Sequence, residues 1–320
     1  MKLSLTLKLF TGLASVTALG LGIWAQNNPS PPQQAKPIAD DPQSRITLDV
    51  TRVNILYTVS DKKGRFVTNL TKDDFDVFEN KKRQNVLEFT AESDLPLRLA
   101  LLIDTSNSVR DRFRFEQEAA IEFLNSLMRP RVDRAMVVSF DTAAELVSDL
   151  TDDHEKLVKG IRDLRPGGGT ALYDAIFNAC RDRLMKDQPR HKFRRAIVIL
   201  SDGDDNQSRY TREQALEMAQ KADVVIYTVS TNITRMESDG DKILKYLSQE
   251  TGGLALFPFK VEDLAQSFEN ISNELRSQYN LLYRPEPLQA DGLYHMVDIK
   301  VRARKDLVVR ARKGYYAPRM

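Results

Sequence analysis

The sequence predicts an α/β protein. A doubly wound, mostly parallel sheet with helices on both faces is joined to a small antiparallel β-sandwich built from the N- and C-terminal flanks. Three observations carry this expectation. Between Leu97 and Arg276, short apolar runs alternate with segments of helical periodicity. On either side of that region the apolar period is two. The chain has 320 residues, 42% apolar and 29% charged, which is too apolar for a disordered chain and long enough for two domains.

The elements follow in chain order. Lys2 and Lys8 precede an uncharged apolar stretch from Leu9 to Ala25, so residues 1–25 read as an export signal cleaved after Ala25. An uncleaved membrane anchor is the alternative, though the apolar run is short for a full span. Residues 26–45 contain Pro29, Pro31 and Pro32 with no apolar periodicity and read as a linker. From residue 46 to 95 a first flank of strands is expected. Val53, Ile55, Tyr57 and Val59 alternate with polar or outward residues, and Asp61-Lys62-Lys63-Gly64 forms a turn. Two more strands surround Phe75–Val77 and Val86–Phe89, separated by the turn Glu79-Asn80-Lys81-Lys82. Residues 96–278 carry strands at Leu97–Ile103, Ala135–Phe140, Ala196–Leu200, Val224–Val229 and Leu254–Phe257. Helical stripes run through Phe113–Leu127, Leu157–Leu164, Leu172–Leu184 and Val261–Arg276, and Thr211 with Gln214 reads as a capping box opening a further helix. From 279 to 316 the period-two texture returns in Val297, Ile299 and Val301, then in Leu307, Val309 and Ala311. Neither flank has enough strands to hide an apolar face, so the two are expected to pair into one discontinuous sandwich.

Charge and composition exclude several function classes. The 47 basic and 45 acidic residues give a net charge of +2, with no whole-molecule attraction to nucleic acid or anionic lipid. The C-terminal flank carries a local excess of bases, but no aromatic interleaving suited to single-stranded nucleic acid, and reads as a solvated strand face. Cys180 is the only cysteine, so no internal disulfide framework and no cysteine-built zinc or iron–sulfur site exist. It lies on the stripe of Leu172 and Ile176 and reads as a buried thiol. His154, His191 and His295 are far apart in sequence, against a histidine-rich metal site.

Ligands of parallel sheets bind beyond the carboxyl ends of strands, which directs attention to three loops. The first is Asp104-Thr105-Ser106-Asn107-Ser108, the second Gly167-Gly168-Gly169-Thr170 and the third Ser201-Asp202-Gly203-Asp204-Asp205. Every donor in them is an oxygen, the set that suits Mg²⁺, Mn²⁺ or Ca²⁺ rather than zinc or copper. Few carboxylates among several neutral hydroxyls leave such an ion wanting one more anionic oxygen, which a partner's Glu or Asp supplies.

The pattern Asp-x-Ser-x-Ser, then Gly-Gly-Thr, then Ser-Asp-Gly resembles the metal-ion-dependent adhesion site of the von Willebrand factor type A domain, a Rossmann-like fold. The resemblance covers about 97–276. Leu70-Thr71-Lys72-Asp73-Asp74-Phe75, Tyr279 through Pro285, and the ending Arg310-Ala311-Arg312-Lys313-Gly314-Tyr315-Tyr316 extend it to the bacterial VWFA-related family, whose members are exported. The resemblance implies that Ser106, Ser108 and Thr170 give hydroxyls to the ion, and that Asp104 and Asp202 bind it directly or through water. It implies a protein partner supplying a carboxylate, no nucleic acid, and membrane contact only if the signal stays uncleaved. Asp204 and Asp205 read as solvated loop acids, Asp174 as a surface acid, and Asp141 belongs to none of the three motifs. The glycine run lacks the Lys of a phosphate loop and reads as allowing Thr170 a close backbone approach to the ion. Catalytic signatures such as Gly-x-Ser-x-Gly or His-Glu-x-x-His are absent. A binding module is therefore expected, with a structural subunit of an envelope complex stabilised by its ion as the alternative and a metal-assisted hydrolase behind both.

Overall fold

The computed structural model describes residues 52–319 apart from 92–94, 189–191, 233, 235, 259, 261, 262, 289 and 303. The export-signal segment 1–25 and the linker 26–45 lie outside the described residues. The alternating flanks form two antiparallel sheets. The first flank supplies β1 (Val53–Ser60), β2 (Phe75–Glu79), β3 (Lys82–Gln84) and β4 (Val86–Thr90). The sheet orders are β13-β1-β11-β4 and β14-β12-β2-β3, where β11 is Tyr279–Tyr283, β12 Tyr294–Val301, β13 Val308–Ala311 and β14 Gly314–Tyr316. Both sheets therefore interleave strands from the two ends of the described chain. Period two sends Val53, Ile55, Tyr57 and Val59 of β1 into one core with Phe75, Val77, Leu281, Val297 and Ile299. Tyr57, Phe75, Phe89 and Tyr279 pack ring against ring there at 5.2–5.6 Å. The turn at 79–82 places Asn80 and Lys81 at φ of 46° and 71°, the left-handed pair that a two-residue hairpin loop requires.

The segment between the flanks builds a six-stranded sheet of order β10-β9-β8-β5-β6-β7. Its parallel members are β5 (Leu97–Asp104), β6 (Arg134–Phe140), β8 (Arg194–Ser201), β9 (Val224–Ser230) and the short β10 (Ala255–Leu256). Helices α1 (Phe113–Leu127), α2 (His154–Asp163) and α6 (Asp263–Arg276) bury Phe123, Leu157, Ile161 and Phe268 on one face. Helices α3 (Leu172–Asp182), α4 (Arg212–Lys221) and α5 (Asp239–Thr251) bury Ile176, Cys180, Leu216 and Leu244 on the other. Strands β5 and β8 are buried along their whole length, as the central strands of a two-faced sheet must be. The Thr211–Gln214 capping box is formed at the start of α4.

Six elements differ from the sequence expectation, three of them the short flank strands β3, β11 and β14, which the period-two reading did not separate. Strand β7 (Ala144–Thr151) runs antiparallel on the sheet edge, with register shifts against β6 that blur its alternation. Helix α5 has a weakly apolar sequence, and its signals are a Ser238–Asp241 capping box and Gly252 in the left-handed region at its end. The strand expected over 254–257 shortens to Ala255–Leu256.

Ion pairs fasten the sandwich to the α/β layers. Glu274 of α6 is fully buried and accepts from Arg310 of β13 and from Thr58 Oγ1 of β1. Arg312 pairs with Asp223 and donates to the Asn54 carbonyl at 2.8 Å. Three further bases of the C-terminal flank are paired: Arg302 with Asp76, Arg304 with Asp306 and Lys300 with Asp298. Burial is the larger influence on Glu274 and raises its carboxyl above the usual range, while Arg310 pulls it back. Arg310→Ala leaves that carboxylate without its cation. We expect a loss of about 3 kcal/mol in urea unfolding, at the low end for a broken buried pair because Arg310 is 29% exposed. An unchanged unfolding midpoint contradicts this role.

Candidate metal centre

Strands β5 and β8 run side by side in register, Ile103 opposite Leu200. Their carboxyl ends therefore bring Asp104, the last residue of β5, next to Ser201, the last of β8. Ser201 Oγ donates to Asp104 Oδ2 at 2.6 Å, and the Ser106 amide donates to Asp104 Oδ1 at 2.8 Å. The first loop is held at both edges. Thr105 N donates to the Phe140 carbonyl at 2.9 Å, while the Thr105 carbonyl accepts from Gly167 N at 2.6 Å. Asn107 reaches the Gly168 carbonyl with its side-chain amide at 3.1 Å. The second loop is tied to the third. Thr170 N donates to Asn206 Oδ1 at 3.0 Å, and the Thr170 carbonyl accepts from the amides of Asn206 and Gln207, each at 3.0 Å.

All three loops predicted from sequence thus meet at one sheet edge. Asp104, Ser106 and Thr170 lie buried, whereas Asp202 is half-buried and Ser108 exposed. Ser106 Oγ and Ser108 Oγ stand 2.9 Å apart. The floor of this arrangement is closed and its outer side is open. Among the described residues, no Lys or Arg pairs with Asp104 or Asp202, and no group of three or more His, Cys, Asp or Glu is placed to hold an ion. Hydroxyls make up three of the five candidate donors, a hard-oxygen set compatible with Mg²⁺, Mn²⁺ or Ca²⁺. Burial, the dominant cause, pushes the Asp104 carboxyl up to about 6, and Asp202 adds to the rise. Hydrogen bonds from Ser201 and Ser106 act against it. A buried carboxylate without a cationic side chain is the electrostatic setting that a bound cation relieves.

Sequence reasoning missed Glu116. It lies on the buried face of α1 with Phe113, Ala120 and Phe123, is 1% exposed, and its Oε2 has no hydrogen-bond partner. Burial first, and then Asp104 and Asp202, push it up to about 8, against the pull of Arg112. Spacing is its one sequence hint, an acid three residues after Phe113 and four before Ala120 on an otherwise apolar stripe, and it does not by itself establish burial.

Other expectations change. Asp205 is not a solvated acid. It caps α3, its Oδ2 accepting from Tyr173 N at 3.0 Å and from Ser208 Oγ at 2.6 Å. Asp174 is half-buried and accepts from the amides of Arg209 and Tyr210 at 2.8 and 3.0 Å. Together these two carboxylates hold the third loop against α3. Asp204 stays exposed, and Asp141 Oδ1 accepts from Ala143 N within its own turn. Cys180 is fully buried, and burial pushes its thiol up. Glycine serves loop packing here: Gly168 has a φ of +87°, and a Cβ there would lie 2.6 Å from Thr142 Oγ1. Gly203, at φ +85°, would place a Cβ 2.2 Å from the Gly240 carbonyl oxygen.

Residues 99–204 match the family model of the von Willebrand factor type A domain. Comparison with curated proteins returns no match. Among solved structures, the von Willebrand factor type A protein from Catenulispora acidiphila aligns with a TM-score of 0.51 at 13% identity, over 77% of this chain and 73% of its own. The vWF domain of the type V pili tip protein Mfa5 from Porphyromonas gingivalis gives a TM-score of 0.45 at 15% identity, over 56% of this chain and 94% of its own. An aerotolerance-related membrane protein from Bacteroides fragilis gives 0.46 at 16% identity, over 56% and 98%. The matched segment spans all five candidate ligands and lies within the parallel sheet and its helices: between the two sandwich flanks, residues 99–204 match a von Willebrand factor type A domain, on a fold that agrees with it.

Proposed function

We propose that this protein is an exported, adhesion-type binding module. Asp104, Ser106, Ser108, Thr170 and Asp202 would hold Mg²⁺, with Mn²⁺ or Ca²⁺ able to replace it. The ion supplies a coordination position that a Glu or Asp carboxylate of a partner protein fills. One observation carries the reading: three hydroxyl-bearing loops converge around a fully buried Asp104 that, among the described residues, has no cationic side chain for a partner. The depth order supports it, because the buried donors close the inner side and Asp202 and Ser108 leave the outer side to solvent. Export rests on the basic start and apolar run of residues 1–25.

A purely structural ion is the competing reading. The loops are already laced by hydrogen bonds of 2.6–3.1 Å that involve no ion, which favours recognition over scaffolding. Titration of the purified chain with Mg²⁺ and then Mn²⁺ tests the proposal. Binding of one ion per chain, and retention of a protein partner that EDTA releases, are expected. Absence of binding heat for both ions overturns it.

A further inference from the structure

The rim of the candidate metal centre is electrically lopsided, and this bears on what kind of partner it accepts. Between α1 and the carboxyl end of α2 runs a groove of about 710 Å³ whose lining includes Arg110, Arg114, Arg162, Arg165 and Pro166. Arg110 joins the groove to the ion loops: its Nη2 donates to Asn107 Oδ1 at 2.9 Å and to the Pro166 carbonyl at 3.3 Å. Arg165 Nη1 donates to the carbonyls of Arg162 and Leu164 at 2.9 and 2.7 Å. These neutral acceptors fix the guanidinium groups in place without cancelling their charge. Among the described residues, Arg110, Arg162 and Arg165 have no carboxylate partner, and Arg114 has only Glu118 at 3.7 Å, both side chains being exposed. Glu118 and Glu122 line the groove farther along α1, away from the loops.

The other side of the centre is acidic. Gly203 packs against the Gly240 backbone, so Asp202 and the exposed Asp204 of the third loop sit at the start of α5, beside Asp239, which pairs with Lys242, and the buried Asp241. A segment that gives a carboxylate to the ion must cross this polarised rim. Further acids on the α5 side meet like charges, while on the α1–α2 side they meet uncompensated guanidinium groups suited to paired hydrogen bonding with carboxylates.

Building on the ion-bridged reading above, we propose that the partner presents an acidic segment: one carboxylate for the ion, flanked on one side by further Asp or Glu residues that lie in the arginine groove. The test uses the full chain in Mg²⁺ and two fluorescent hexapeptides, hexaglutamate and Gly-Ser-Glu-Ser-Gly-Ser. Hexaglutamate is expected to bind at least tenfold more tightly. That margin should vanish in Arg162→Glu/Arg165→Glu and survive in part in Arg162→Lys/Arg165→Lys, with thermal melts checking that both variants fold. Equal affinity of the two peptides for the natural chain, a margin untouched by the charge reversal, or no binding of hexaglutamate overturns the proposal. The two readings fail separately. Equal binding of the two peptides by the natural chain, with Mg²⁺ dependence kept, removes the groove alone. An arginine-dependent margin that persists in EDTA removes the ion bridge and keeps the groove.

Discussion

If the proposed ion site is right, Mg²⁺ is expected to stabilise this protein and Asp104→Ala to abolish that stabilisation. A ligand that binds only the folded state stabilises it by RT ln(1 + [L]/Kd), about 2.7 kcal/mol when the ion is present at a hundred times its Kd. Asp104 is one of two candidate carboxylates and the more deeply buried, so its removal takes away half of the anionic charge facing the ion and the anchor of the first loop. In EDTA the substitution has opposing effects. It deprives Ser201 Oγ and the Ser106 amide of their acceptor, but it also removes a charge that burial disfavours. The group's folded value of about 6 lies above its ordinary 3.8. In the ion-free protein, stability at this position is therefore present below pH 4 and lost as pH rises toward 6. Thermal unfolding of natural and variant chains, each in Mg²⁺ and in EDTA, checks this. Equal Mg²⁺-dependent shifts in the two proteins would falsify the assignment of Asp104 to the ion.

Glu116→Gln is expected to flatten the pH dependence of stability. The carboxyl sits at about 8 in the fold against an ordinary 4.5, chiefly because burial disfavours its charged form. As pH rises past 4.5 the unfolded chain releases this proton while the folded chain still holds it, so the folded state loses ground until pH passes about 8. At 1.36 kcal/mol per unit, the full effect approaches 5 kcal/mol. Gln is nearly isosteric with the protonated acid and does not titrate. Urea unfolding should show the two chains nearly equal at pH 5 and the variant more stable at pH 9. The difference should shrink in Mg²⁺, because a cation beside Asp104 and Asp202 offsets the two charges that help to raise Glu116. Parallel stability curves from pH 5 to 9 contradict this account.

Much of the fold was legible because its signals are local and periodic. Alternation in Val53–Val59 and Val297–Val301 marked half-buried strands, and the Thr211–Gln214 box marked a helix start, each within a handful of residues. What escaped was weakly periodic. The bulged edge strand β7 mixes Leu146, half in solvent, with Ser148, which is buried, and α5 presents a largely polar sequence. The five candidate ligands were legible from order and from their place at element ends. Glu116 was not singled out, because an acid in a helix normally faces water and only the folded structure shows that this one does not.

By itself, the sequence determined which residue types stand at the ends of β5 and β8 and before α3, and that the two flanks each lack the strands to close a sheet. Local backbone preferences and apolar period are written in neighbouring residues, so they survive without the rest of the molecule. Only the tertiary structure decided that Asp205 and Asp174 fasten the third loop, that Glu274 meets Arg310 across the sandwich junction, and that unpaired guanidinium groups gather on one side of the rim. Charge compensation and burial depend on distances between residues far apart in the chain, and those distances come into being only when the layers pack.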